Sequence, residues 1–265
     1  MSQVQFLFPQ DVFSSRLPDQ AYLEEYEAAQ SAGITCSLFS YSDLAEGKFN
    51  PKNSVKDLLR KPQKVVYRGW MLTPLEYVTL QRGVEAAGGA MLTSAVQYEQ
   101  CHYLPGWYEH CQDLTPATLI LSEEDDLGEA MASVSWDAFF VKDFVKSLTT
   151  KRGSIAHSLE EVIDIVDLIS DYRDGLDGGI CLREVEDFDP ETERRFFVLN
   201  GNAYGSDGHV PDIVRNVASR IQCPFFSVDI VLNRSGEPRL IEVGDGQVSD
   251  SKEWSVESFI GIFQH

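Results

Sequence analysis

Apolar residues recur at every second position in some stretches of the chain and at every third or fourth in others. The first spacing marks strands and the second helices. Residues 3–9 (QVQFLFP), 34–40 (ITCSLFS), 64–72 (KVVYRGWML) and 90–94 (AMLTS) read as strands. Residues 19–33 and 74–88 between them read as helices. Thr73 caps the second helix and Pro74 takes its first position; Gly33 ends the first, and Gly88 with Gly89 the second. Strands alternating with helices predict an open parallel sheet. The aromatic-rich residues 97–113 (QYEQCHYLPGWYEHCQD) read as a connection with some helix.

From Thr115 the order changes. Strands are expected at 115–121 and 138–145, a helix at 125–134, and a polar loop at 146–158. A strongly amphipathic helix follows at 158–173, then strands at 178–188 and 194–205 and a helix near 211–222. The fold class is therefore α/β followed by α+β with antiparallel strands. The predicted division is an N-terminal α/β domain over 1–112 and a second domain over 113–265, whose parts cover about 115–188 and about 189–265.

The clearest pattern is FFSVDIVLNRSGEPRLIEVGDGQVSD, residues 225–250. It alternates, turns once and returns. With the turn centred between Ser235 and Gly236, Val228 faces Val243, Ile230 faces Ile241, and Asp229 faces Glu242; a three-residue loop would make the last pair diagonal. Val228, Ile230, Leu232, Ile241 and Val243 then share an apolar face, and the two acids share the other. Opposed Cβ atoms lie about 4.5–5.5 Å apart, so two carboxylates there call for a cation or a shared proton. Mg²⁺ suits such a pair, because it takes one or two carboxylates and leaves positions for water and phosphate. The alternative is two acids fanning apart on a solvated sheet face. Gly244, Asp245 and Gly246 follow at once, giving another carboxylate and two places for close backbone approach.

Charge and cysteine content narrow the partners. Lys and Arg number 22 against 42 Asp and Glu, a net charge of −20. That field repels nucleic acid and anionic membranes, so neither is an expected partner, and a bound nucleotide would need clustered cations or metal. The five cysteines form no CxxC pair, which points to free thiols and a cytoplasmic location. No apolar run is long enough for a membrane span. The five histidines show no metal-ligand spacing.

The hairpin letters resemble the C-terminal metal hairpin of the ATP-grasp superfamily, in which an Asp in one strand and a Glu on the returning strand hold Mg²⁺ against ATP phosphates. The superfamily usually reads E-x-N at the second site; here Gly244 takes the Asn slot, with Asp245 one residue on. The preceding segments resemble the same superfamily in order. AFFVKDFVKS resembles its lysine strand, with Lys142 and Lys146 on one face if the strand persists, and residues 146–158 its phosphate-covering loop. GGICLREVEDF resembles the hinge that reads adenine, through Glu184, Val185 and Glu186. ETERRFFVLNG resembles the strand bearing a ribose-side acid (Asp189, Glu191 or Glu193) and the phosphate-side Arg195. With Arg68 of YRGWML, the set resembles a bacterial and phage clade marked by one arginine and two lysines.

The resemblance implies a pre-ATP-grasp domain over 1–112, an α+β lid over about 115–188 and a metal-binding C-terminal antiparallel sheet. It implies Arg68, Lys146 and Arg195 as catalytic residues, Lys142, Glu184, Val185, Glu186 and Glu193 as nucleotide-binding, and Asp229, Glu242 and Asp245 as metal ligands. The implied activity is ATP- and Mg²⁺-dependent amide-bond formation through an acyl phosphate. Its acceptor would be a small carboxylate, an amino acid, a peptide or a protein, and the ligase a monomer or homodimer. Phosphoryl transfer to a hydroxyl, and a nucleotide-binding module with reduced catalysis, are the alternatives.

Overall fold

The computed structural model describes residues 4–49, 64–145, 152–173 and 175–264. They form two compact units, each assembled from separate stretches of the chain. Unit 1 comprises Met1–Cys101, Arg194–Val228 and Gly244–His265; unit 2 comprises His102–Glu193 and Asp229–Val243.

Unit 1 is built on four parallel strands: β1 (Val4–Pro9), β2 (Thr35–Phe39), β3 (Lys64–Tyr67) and β4 (Ala90–Met91), in the order β2-β1-β3-β4. Among the described residues, helices α1 (Leu23–Ser31), α2 (Tyr41–Ala45), α3 (Pro74–Ala86) and α4 (Ala95–His102) accompany these strands in the N-terminal stretch. The first strand is apolar on both faces because both are covered, as a parallel sheet requires. Leu7, Val65 and Tyr67 pack with Tyr77, Leu80 and Tyr98; Phe6, Phe8 and Val66 pack with Phe197, Phe225 and Phe259. Helix α3 starts as its letters predict, with Thr73 as cap and Pro74 in the first turn; the structure adds Glu76, which bonds reciprocally with Thr73 in a capping box.

Unit 2 carries an antiparallel sheet of β5 (Thr118–Leu121), β6 (Phe139–Asp143), β7 (Ile155–Ala156) and β8 (Ile180–Glu184), in the order β5-β8-β6-β7. Helix α5 (Leu104–Cys111) precedes it and α6 (Leu127–Ala132) follows β5. Helix α7 (Leu159–Arg173) covers one face, burying Val162, Ile165 and Ile169 against Phe139, Val141, Ile180 and Leu182. These three- and four-residue spacings are the amphipathic period read from the sequence.

A third sheet has the order β10-β9-β11-β12, from β9 (Phe188–Leu199), β10 (Asn202–Gly205), β11 (Phe225–Asn233) and β12 (Pro238–Asp245). Helices α8 (Asp212–Arg220) and α9 (Val256–Gly261) complete the chain. The mixed α/β and α+β architecture is the one expected. Residues 97–113 differ in detail: they contribute most of α4 and all of α5, the second opened by Pro105. Among the described residues no helix is long and apolar enough to cross a membrane, and all five cysteines are free thiols.

Candidate functional site

The hairpin β11–β12 turns through three residues rather than two or four. Gly236 N–H bonds Asn233 O at 2.9 Å and Asn233 N–H bonds Glu237 O at 2.9 Å, with Gly236 at φ +83°. This left-handed position explains the glycine there. Counting back from the Asn233–Glu237 pair, Ile230 faces Leu240, not Ile241 as the symmetric turn predicts. Leu240 is accordingly buried and Ile241 only half-buried.

The far end of the hairpin keeps the expected register. Gly246 N–H reaches Phe225 O at 3.4 Å, and the Cα–H of Gly244 points at Ser227, whose Oγ lies 2.8 Å from where a Cβ would stand. The two ends therefore differ by one residue, and β12 carries the extra one. Its place is visible in the burial pattern, where buried Leu240 and Val243 stand three apart instead of two or four. It is visible also in the hydrogen bonds. Thr115 Oγ1 donates to Leu240 O at 2.8 Å and Arg183 Nη1 to Ile241 O at 2.9 Å, while Arg183 Nη2 bonds Thr115 Oγ1 at 2.6 Å. Successive carbonyls of a regular strand point to opposite edges; these two converge on one cluster. A β-bulge at Ile241–Glu242 satisfies both observations and sets both residues opposite Asp229.

Asp229 is 3% exposed, whereas the Glu242 side chain keeps 38% of its surface. Lys142, buried on β6, donates from Nζ to Glu242 Oε1 at 3.0 Å and to Val145 O at 3.2 Å. In the β6–β8 ladder Lys142 pairs with Cys181 and Phe140 with Arg183, so Lys142 and Arg183 stand on one face. Val141 and Leu182 point the other way, into the core beneath α7. Burial pushes the Cys181 thiol up to about 12, against the pull of Lys142 and Arg183. Burial also lowers the Arg183 pKa, opposed by the charge of Glu242.

The remaining predicted residues are distributed as follows. Strand β6 ends at Asp143, and Lys146 with residues 147–151 lies outside the described residues; Ile155 and Ala156, in the stretch expected as loop, form β7. At the hinge, Glu184 N–H bonds Ala117 O and Val185 N–H bonds Ala138 O, and Glu186 grips Arg239 in a two-pronged pair at 2.6 and 2.8 Å. Glu193 is half-buried on β9.

Arg68, Arg195 and Asp245 belong to unit 1. Arg68 is 3% exposed; its Nε and Nη2 hold Glu25 at 2.8 and 2.6 Å. Its Nη1 donates to the carbonyls of Gly246, Gln247 and Ser249, and its guanidinium lies 4.6 Å from the Phe259 ring centre. Burial works against the charged guanidinium, but Glu25 outweighs it and raises the Arg68 pKa. Arg195 Nη1 bonds the backbone and side chain of Asp250 at 2.9 and 2.5 Å. Asp245 is fully buried. Its Oδ1 accepts from Gln247 N at 2.9 Å and Nε2 at 3.3 Å, while Oδ2 has no hydrogen-bond partner among the described residues. Burial pushes its carboxyl up to about 7, against the Gln247 bonds and Arg68. Gln247 in turn accepts from Tyr67 N and donates to Tyr77 Oη.

A side chain at position 244 would have to displace a serine hydroxyl. A Cβ there would stand 2.8 Å from Ser227 Oγ and 3.0 Å from Ser249 Oγ, and these hydroxyls bond each other at 2.8 Å. The serine pair occupies the space a side chain would need.

Sequence reasoning missed Arg183, Thr115, Glu25 and Gln247. For Arg183 a signal existed: a cation inside the apolar run ICLRE, at the same strand parity as Cys181 opposite Lys142. For Glu25 there was none, since acids are common on exposed helix faces.

A parallel α/β layer, a lysine-bearing antiparallel sheet and an acidic C-terminal hairpin together define the ATP-grasp architecture. Solved structures with this fold align over the whole chain. D-cycloserine synthetase DcsG aligns at TM-score 0.64 and 14% identity over 98% of both chains. D-alanine–D-alanine ligase from Bacillus anthracis aligns at 0.63 and 10%, over 99% of this chain and 96% of that one. The ATP-grasp ligase PsnB, complexed with a phosphomimetic variant of its minimal precursor, Mg and ADP, aligns at 0.61 and 12%, over 100% and 97%. The chain belongs to the ATP-grasp domain proteins, in family 3 of the R-two-K clade, whose family model matches residues 122–261. No curated protein matches it in sequence.

Proposed function

We propose that the protein is an ATP- and Mg²⁺-dependent carboxylate–amine ligase that activates its acceptor as an acyl phosphate. Family membership supports ATP-dependent ligation in general, and the structural neighbours include a synthetase and ligases. The single observation that carries the reading is the meeting of Lys142 with Glu242 beside the Asp229 strand position.

The donor set fits magnesium. Asp229 and Glu242 offer hard oxygens, and among the described residues no group of three or more His, Cys, Asp or Glu surrounds them. Such a pair leaves coordination positions for water and phosphate oxygens, the environment Mg²⁺ favours. Bound there, Mg²⁺ would neutralise charge on the phosphates.

The protein's own groups would do the rest by position and charge. Lys142 orients Glu242 and supplies a cation for the phosphates. Glu184, Val185 and Glu186 carry the adenine-side contacts, with Glu186 held by Arg239. Glu193 serves the ribose. Arg195, tethered to the exposed Asp250, and Lys146 serve the transferred phosphoryl group. Arg68, whose donors are taken by Glu25 and three carbonyls, positions the Gly246–Ser249 loop from within unit 1. Asp245 does the same through Gln247. The acceptor is an amino acid, a peptide or a protein; the amine attacks the acyl phosphate and phosphate leaves.

The displaced Asn slot favours one further reading, a nucleotide-binding module with reduced catalysis. ADP release measured with a panel of amino acids and peptides separates the two. Mg²⁺-dependent release from at least one acceptor, lost in Asp229→Asn, supports the ligase; tight ATP binding with no release from any acceptor supports the module.

A further inference from the structure

We propose that Arg183 and Thr115 form a brace that fixes the β12 bulge and thereby aims the Glu242 carboxylate at the divalent ion. The inference rests on the metal role proposed for Asp229 and Glu242. It adds two residues that act through the backbone and touch neither ion nor nucleotide.

Strand β12 is the last in its sheet, and its outer edge is held by residues of the segment before β5 and by β8. Leu240 N–H donates to Leu114 O at 2.9 Å, and Thr115 Oγ1 to Leu240 O. Arg183 links the two elements by bonding both Thr115 Oγ1 and Ile241 O. Arg239, through Glu186 and Asp113 O, secures the strand one residue earlier. Two cations from one sheet face thus reach successive residues of β12: Arg183 the carbonyl of Ile241, and Lys142 the side chain of Glu242.

The consequence follows from strand geometry. A one-residue slip sends every following side chain to the opposite face. The bulge is what reconciles a three-residue turn with an acid at position 242 facing Asp229. If its two converging carbonyls lose their donors, the strand can relax into the unbulged register, which turns Glu242 away. Arg183 is also a costly residue if stability were its only role. It is 6% exposed, and its Nε has no hydrogen-bond partner among the described residues. Replacing a buried guanidinium that has an unmet donor with a well-packed apolar side chain is often neutral or stabilising.

The test uses the full chain and three variants: Thr115→Val, Arg183→Met and Thr115→Ser. Three quantities are read: amide hydrogen exchange over residues 240–243, Mn²⁺ binding at saturating ATP by electron paramagnetic resonance, and ATP affinity in EDTA. Thr115→Val and Arg183→Met should each speed exchange in that segment and weaken Mn²⁺ binding about tenfold or more, the range seen when a ligand's orienting partner is removed. ATP affinity in EDTA should stay within about threefold, and Thr115→Ser, which keeps the hydroxyl, should match wild type. Unchanged Mn²⁺ binding in both variants, or an equal loss with and without metal, overturns the brace. A wild-type protein that binds no Mn²⁺ in the presence of ATP overturns instead the metal reading on which the brace rests.

Discussion

Lys142 Nζ stands 3.0 Å from Glu242 Oε1, joining β6 to the returning arm of the C-terminal hairpin across 100 residues of sequence. The lysine is buried and the glutamate half-exposed. The pair offsets part of the repulsion between Glu242 and Asp229, which the bulge sets opposite one another.

Lys142→Met removes that offset. In the absence of metal the variant should lose about 1–2 kcal/mol, less than for a fully buried pair because Glu242 is partly solvated. Added Mg²⁺ should restore more stability to the variant than to wild type, as the ion replaces the missing charge. Thermal melts in EDTA and in Mg²⁺ measure both effects; an identical Mg²⁺ response in the two proteins contradicts the pairing.

At Gly244 the constraint comes from neighbouring hydroxyls rather than from backbone angles. Gly244→Asn restores the letter usual in the superfamily but drives a Cβ into the Ser227–Ser249 pair. It should destabilise by about 1–3 kcal/mol, the ordinary cost of overpacking. Ser227→Gly combined with Ser249→Gly should recover part of that loss in a double-mutant cycle, and strict additivity of the three changes argues against the steric account.

Asp245 makes stability depend on pH. Its carboxyl titrates at about 7 in the fold against an ordinary 3.8. The folded state therefore holds the proton more tightly, and stability present below about pH 4 is lost as pH rises towards 7. Across that window the loss from this group is roughly 4 kcal/mol. Asp245→Asn, which keeps the neutral shape, should flatten the denaturation midpoint between pH 4 and 7; an unchanged slope rules out this assignment.

Local periodicity was enough to read most of the elements, because each buries a face whose spacing is written in its own letters. The parallel strands, the Thr73 cap with Pro74 after it and the apolar stripe of α7 are of this kind. Both arms of the hairpin and their acids were legible for the same reason. The bulge was not, since its cause lies in Thr115 and Arg183, remote in sequence from Leu240 and Ile241. Strand β9 begins at Phe188, earlier than its letters suggest, because sheet pairing outweighs a proline and several charges at its start. Arg68 was legible as a residue of interest but not in its setting. Nothing in the sequence ties it to Glu25 or to the Gly246, Gln247 and Ser249 carbonyls.

The central claim is that Asp229 and Glu242 hold the divalent ion that carries ATP. Calorimetric titration of ATP with and without Mg²⁺, on wild type, Asp229→Asn and Glu242→Gln, tests it most directly. Wild type should bind ATP more tightly with Mg²⁺ than in EDTA, and each variant should lose that gain while melting as wild type does in EDTA. If both variants keep the full Mg²⁺-dependent gain, the ion is held elsewhere and the account is wrong.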